Sequence, residues 1–95
     1  MKPLTRYEAV QLLSTKLYHI VFLKKTTGKV REMNGTLDPN HMPSGAYKSL
    51  GNYDRYRPVT YKGDTSTVVQ VWDVDINAWR SFDIRLLKVF EPIKD

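Results

Sequence analysis

Cysteine is absent from the 95-residue chain, which excludes disulfide staples, thiolate metal centres and a cysteine nucleophile. The fold must then hold by packing alone, and a reducing compartment suits it. Histidine is scarce, with only His19 and His41, and neither stands in a recognisable nucleophile–base motif. No apolar run approaches the ~20 residues needed to cross a bilayer; the stretch "YEAVQLL" near the start is broken by charge. "MKPLTRYEA" lacks the uninterrupted apolar run and small-residue cleavage site of a secretion signal, so the expectation is a soluble, unexported protein. The phosphate-loop pattern is missing as well, because "TTGK" has no glycine upstream at the needed distance. These absences lead to the expectation of a protein that is not an enzyme and carries no cofactor.

What is present suits one small domain over residues 1–95, burying roughly 60–65 % of the surface of its unfolded chain. The formal net charge of +5 is uneven: residues 1–37 carry +5, residues 38–66 carry +1 and residues 67–95 carry −1. Clustered lysine and arginine attract phosphate backbones or acidic protein surfaces, whereas scattered charge mostly confers solubility. The first third is therefore where a polyanion would bind, if the cations are more than a solvated face.

"PLTRYEAVQLLS" opens with a capping box, in which the Thr5 side chain accepts from the Glu8 amide and Glu8 reaches back to the Thr5 amide. A helix over 5–14 follows, with Tyr7, Val10 and Leu13 at helical spacing, flanked by Ala9 and Leu12. "KLYHIVFLKK" then turns β-branched and aromatic, Gly28 supplies a left-handed turn position, and "VREMNGTL" returns, so 16–37 reads as a hairpin with Lys24, Lys25, Lys29 and Arg31 around its tip. Residues 38–66 hold three of the five prolines and three of the five glycines, with Tyr47, Tyr53, Tyr56 and Tyr61 among Lys48, Arg55, Arg57 and Lys62. This is a long tyrosine-rich loop of a kind that is often functional.

Residues 67–90 read as a second hairpin, "TVVQVWDV" with "WRSFDI", and a last short strand in "RLLKVF" that Pro92 ends. With "DINA" as the turn, Val74 faces Trp79, Asp73 faces Arg80, Trp72 faces Ser81, Val71 faces Phe82 and Val69 faces Ile84. Val69, Val71, Phe82 and Ile84 then form a core stripe capped by Asp73 and Arg80. Trp72 and Trp79 share the opposite face, where the helix can cover them or they can remain available to a ligand. His19, His41, Asp73 and Asp75 are the metal candidates, but "DVD" on a strand lacks a ligand-rich loop, and no metal site is expected.

"FLKKTTGKVREMNGTL" and, after the loop, "VQVWDVDINAWRSFDI" resemble a family of small, mostly tailed-phage proteins described as WYL-like, with a Sm-like SH3 β-barrel fold; the matching stretches are residues 21–43 and 68–85. The resemblance implies a mainly β protein, a small five-stranded and highly curved SH3-like barrel, at work in the cytoplasm of an infected bacterium. The Sm-like relation suggests RNA and the WYL relation suggests nucleic-acid or nucleotide ligands, both at the level of fold. This chain adds the N-terminal helix and the long loop.

Together these readings lead to an expected binding module for RNA or single-stranded DNA. Lys24, Lys25, Lys29 and Arg31 would meet phosphates, with Arg55 and Arg57 beside them, while Tyr53, Tyr56 and Trp79 offer faces for unpaired bases. A second reading takes the Tyr-, Trp- and Arg-rich segments as a hot-spot surface for protein, making the chain an inhibitor of a host enzyme or defence complex. In a third, the tyrosines only fold back as a lid. Exposed edge strands would also allow self-pairing into a homo-oligomer.

Overall fold

Thr5 and Glu8 close the capping box in the computed structural model: the Thr5 hydroxyl accepts from the Glu8 amide at 3.1 Å and the Glu8 carboxylate accepts from the Thr5 amide at 3.1 Å. The structure describes residues 4–43, 45 and 66–93. The helix α1, Arg6–Leu13, buries Ala9, Val10 and Leu13. Eight residues are too few to be helical alone in water, so its order comes from docking. At its start the Arg6 guanidinium donates to the Val68 carbonyl at 2.8 Å. At its end the Leu13 carbonyl accepts from the Leu37 amide at 2.9 Å and from the Thr36 hydroxyl at 3.1 Å.

Five strands follow: β1 (Leu17–Leu23), β2 (Val30–Thr36), β3 (Val68–Asp73), β4 (Ala78–Asp83) and β5 (Leu87–Pro92). They form one antiparallel sheet in the order β4-β3-β2-β1-β5. The β1–β2 hairpin turns through Gly28 at φ +69°, where the Lys24 carbonyl accepts from the Gly28 amide at 2.7 Å. Pairing between β2 and β3 is limited to Gly35–Asp73 and Thr36–Trp72, so the sheet splays there and curls. Tyr18, Ile20, Phe22, Met33, Val69, Val71 and Phe82 are buried inside the curl together with the apolar side of α1. Phe22 and Phe82 pack across it with ring centroids 5.9 Å apart, and Tyr18 stacks on Phe90 at 4.3 Å.

The β3–β4 register differs from the sequence expectation by two residues. Trp72 faces Trp79, Val71 faces Arg80, Val69 faces Phe82 and Asp73 faces Ala78, so the loop is Val74–Asn77 instead of Asp75–Ala78. Two local interactions set it: the Asp73 carboxylate accepts from the Asp75 amide at 2.9 Å, and Asn77 takes φ +52°, which asparagine tolerates better than most residues. Because strands alternate with period two, a slip of two leaves every face assignment intact. Phe82 is buried on the core side and the two tryptophans meet on the other, edge to face at 5.6 Å. Ile84 is not opposite Val69; it begins a 3₁₀ turn over Ile84–Leu86, and its amide donates to the Thr67 carbonyl at 2.8 Å.

Asp83 forces that exit from β4. Its carboxylate caps the turn by accepting from the Arg85 amide at 3.0 Å and is gripped by the Arg85 guanidinium at 3.1 and 2.7 Å. The hydrogen bonds from the Arg85 side chain hold the Asp83 carboxyl well below the usual carboxylate range, against the opposing effect of burial. Lys25, from the β1–β2 tip, approaches the same carboxylate at 3.7 Å. The end of β4 is thereby tied to the first hairpin.

Two outcomes follow for stability. A Cβ at Gly35 would stand 3.0 Å from Val71 Cγ2 and 3.3 Å from Ile20 Cδ1, both fully buried, so Gly35→Val should destabilise by about 1–3 kcal/mol, read by urea unfolding. Asp83→Asn keeps the turn cap and removes the charge; because Arg85 is largely exposed, the loss at neutral pH should be about 1 kcal/mol. Asp83 has a folded pKa below its unfolded value of about 3.9, so its contribution is complete above that value and disappears as pH falls through the folded one. The gap between wild type and variant should therefore close in unfolding curves taken progressively below pH 4.

Candidate nucleic-acid interface

The β1–β2 connection places cations together because the strands end just before them. Leu23 pairs with Val30 as the last rung of the hairpin, leaving residues 24–29 as a tip in which the Lys24 amide donates to the Lys29 carbonyl at 2.8 Å. Lys25 and Lys29 are exposed, Lys24 is half-buried, and Arg31 is exposed one residue into the return strand. Val30, between Lys29 and Arg31, leaves 62 % of its surface to solvent. The acidic groups near this tip are Glu32, exposed on β2, and Asp83, whose charge Arg85 already matches.

Beside the tip lies a cleft of about 210 Å³. Phe22, Leu23 and residues 24–26 line one side, and Val68 and Ser81–Asp83 line the other. Ser81 and Trp79 share a strand face with Asp83 by alternation. A track therefore runs from Lys25 at Asp83, past Ser81, to Trp79, roughly 13 Å along the strand. Trp79 is half-buried against Trp72 and the core, whereas Trp72 is buried. Of the two tryptophans, then, Trp79 retains surface for a ligand.

The expected site residues are thus distributed. Lys24, Lys25 and Lys29 lie in the tip and Arg31 in the first rungs of the return strand, while Trp79 stands on β4, which lines the cleft beside the tip. Tyr53, Arg55, Tyr56 and Arg57 lie outside the described residues, as does most of the tyrosine-rich loop. The sequence reading missed Arg85, Val68 and the cleft. The spacing of Asp83 and Arg85, a carboxylate two residues before a guanidinium at a strand end, was the available signal; the cleft needs the curvature of the sheet.

The metal candidates have other partners. Asn34 donates from Nδ2 to Asp75 at 3.1 Å, which turns its carbonyl oxygen to His19 Nδ1 at 3.2 Å, and the Asn34 backbone carbonyl accepts from the Val74 amide at 3.1 Å. This chain fastens the β3–β4 loop to β1. His41 lies 3.9 Å from Asp38, and among the described residues no three His, Asp or Glu side chains group to hold a metal ion. Nor, among them, is any helix long and apolar enough to cross a membrane.

The comparisons with known proteins agree with this architecture. The chain is 32 % identical over 78 residues to the "Uncharacterized 11.5 kDa protein in Gp31-cd intergenic region" of Enterobacteria phage T4, an alignment covering 78 % of this chain and 69 % of that protein. No solved structure matches. The family described as WYL_2, Sm-like SH3 beta-barrel fold, matches residues 6–88, and neither similarity points to an enzyme family. A capped helix, five antiparallel strands in one curled sheet and a match over nearly the whole chain have one reading: this phage-associated protein belongs to the WYL_2 family of Sm-like SH3 β-barrels.

Proposed function

We propose that this protein is a non-catalytic, phage-encoded module that binds single-stranded nucleic acid, RNA or DNA, in the cytoplasm of the infected bacterium. The observation that carries the reading is the grouping of Lys24, Lys25, Lys29 and Arg31 within one hairpin tip, beside a strand that presents Trp79. The cations supply affinity through counterion release, which is independent of sequence. Trp79 supplies the preference for single strands, because a base offers its π-face only when unpaired. Protein partners use the same residue types, but four clustered cations interrupted by no acidic residue favour a polyanion over a mixed interface.

The two contributions separate experimentally. Combining Lys24→Gln, Lys29→Gln and Arg31→Gln should weaken binding to every oligonucleotide and lower the log–log salt slope by about 2, given about 0.7 per phosphate contact on single strands. Trp79→Ala should instead cost about 1–3 kcal/mol on single strands, spare duplex and leave the slope unchanged. Fluorescence anisotropy across a salt series measures both. Absence of salt-dependent binding to any oligonucleotide at physiological ionic strength would refute the proposal.

A further inference from the structure

The cleft beside the hairpin tip combines features that neither the cations nor Trp79 explain. Its volume of about 210 Å³ is below the roughly 300–1,000 Å³ of sites that enclose drug-sized ligands, so it suits a single ring system. Phe22 and Phe82, both nearly fully buried, close it at its base, and Val68, 43 % exposed, supplies the apolar wall open to water. Two cations converge on Asp83, which lines the cleft: Arg85, just beyond the lining, at 2.7 Å, and Lys25, also in the lining, at 3.7 Å from the same carboxylate oxygen. Their side chains remain 62 % and 67 % exposed. Each therefore keeps N–H donors that Asp83 does not use, held in place by that carboxylate.

We infer that this cleft is a subsite for one unpaired nucleobase, with the adjoining phosphate held by Lys25 and Arg85. The inference rests on the single-strand reading and adds a base pocket and Arg85 to it. The occupant follows from complementarity: the exposed apolar wall takes a flat ring, and the Asp83 end, with two cations for one carboxylate, takes an anion. A cationic ligand is disfavoured there, and a bare anion leaves the apolar walls in contact with water. Ser81 and Val68, on the neighbouring strands β4 and β3, line the same side and both reach the surface, so a strand enters without disturbing the core.

The test uses the full chain and two fluorescein-labelled dodecamers, oligo-dT and an all-abasic strand of the same length, in anisotropy titrations over a salt series. The wild type should bind oligo-dT at least tenfold more tightly than the abasic strand. Ser81→Trp fills the cleft from β4 and should reduce that ratio at least fivefold with the salt slope unchanged; Val68→Trp, filling it from β3, should do the same. Arg85→Gln should lower the slope by about 0.7. If both filled variants fold and keep the wild-type ratio, the subsite is refuted while the single-strand reading stands. If the wild type binds neither dodecamer, both fail. Amide shifts at residues 81–83 with thymidine monophosphate would support the nucleotide site; shifts there with N-acetylphenylalaninamide alone would assign the cleft to a protein side chain and overturn it.

Discussion

Phe22 and Phe82 belong to β1 and β4, three places apart in the sheet, yet their ring centroids are 5.9 Å apart. In a flat sheet those strands would be separated by roughly 14 Å, at about 4.8 Å per neighbour. The aromatic contact therefore exists only if the sheet curls, and the curl makes this short chain a barrel. It depends on sparse pairing between β2 and β3 and on Gly35, whose missing side chain lets Val71 and Ile20 close over the strand. The same curl carries the end of β4 to the first hairpin, where Lys25 meets Asp83.

From this follows the placement of chemistry. A basic tip on a flat hairpin would be a solvated loop. Brought against β4, it becomes one side of a cleft and one end of a track that reaches Trp79. Asp83 has two tasks there: it ends the strand by capping the 3₁₀ turn, and it draws Arg85 and Lys25 to one carboxylate at the edge of the cleft. The helix supports the arrangement, reaching from the Val68 carbonyl to Thr36 and Leu37.

Local features of the fold were legible in the sequence. The capping box of Thr5 and Glu8 is complete within four residues, and the faces of β3 and β4 follow from alternation, which a two-residue slip cannot reverse. The slip itself was not legible, since it turns on the Asp73 cap and the left-handed Asn77. Ile84 read as strand because it is β-branched, but the Asp83 cap diverts it into a turn. The clustering of Lys24, Lys25, Lys29 and Arg31 was visible as a run of residues. The cleft was not, because its walls come from positions about 60 residues apart that only the curvature brings together.

In the proposed reading the tip and the adjoining face of β4 form one surface for a single strand. Titrating ¹⁵N-labelled protein with unlabelled oligo-dT and oligo-U, and following amide and indole resonances, tests it most directly. Shifts should concentrate at residues 24–31, at 79–85 and at the Trp79 indole, with much weaker changes for duplex of equal length. Shifts confined to β5 and the His19 side of β1, or an equal response to duplex, would contradict it.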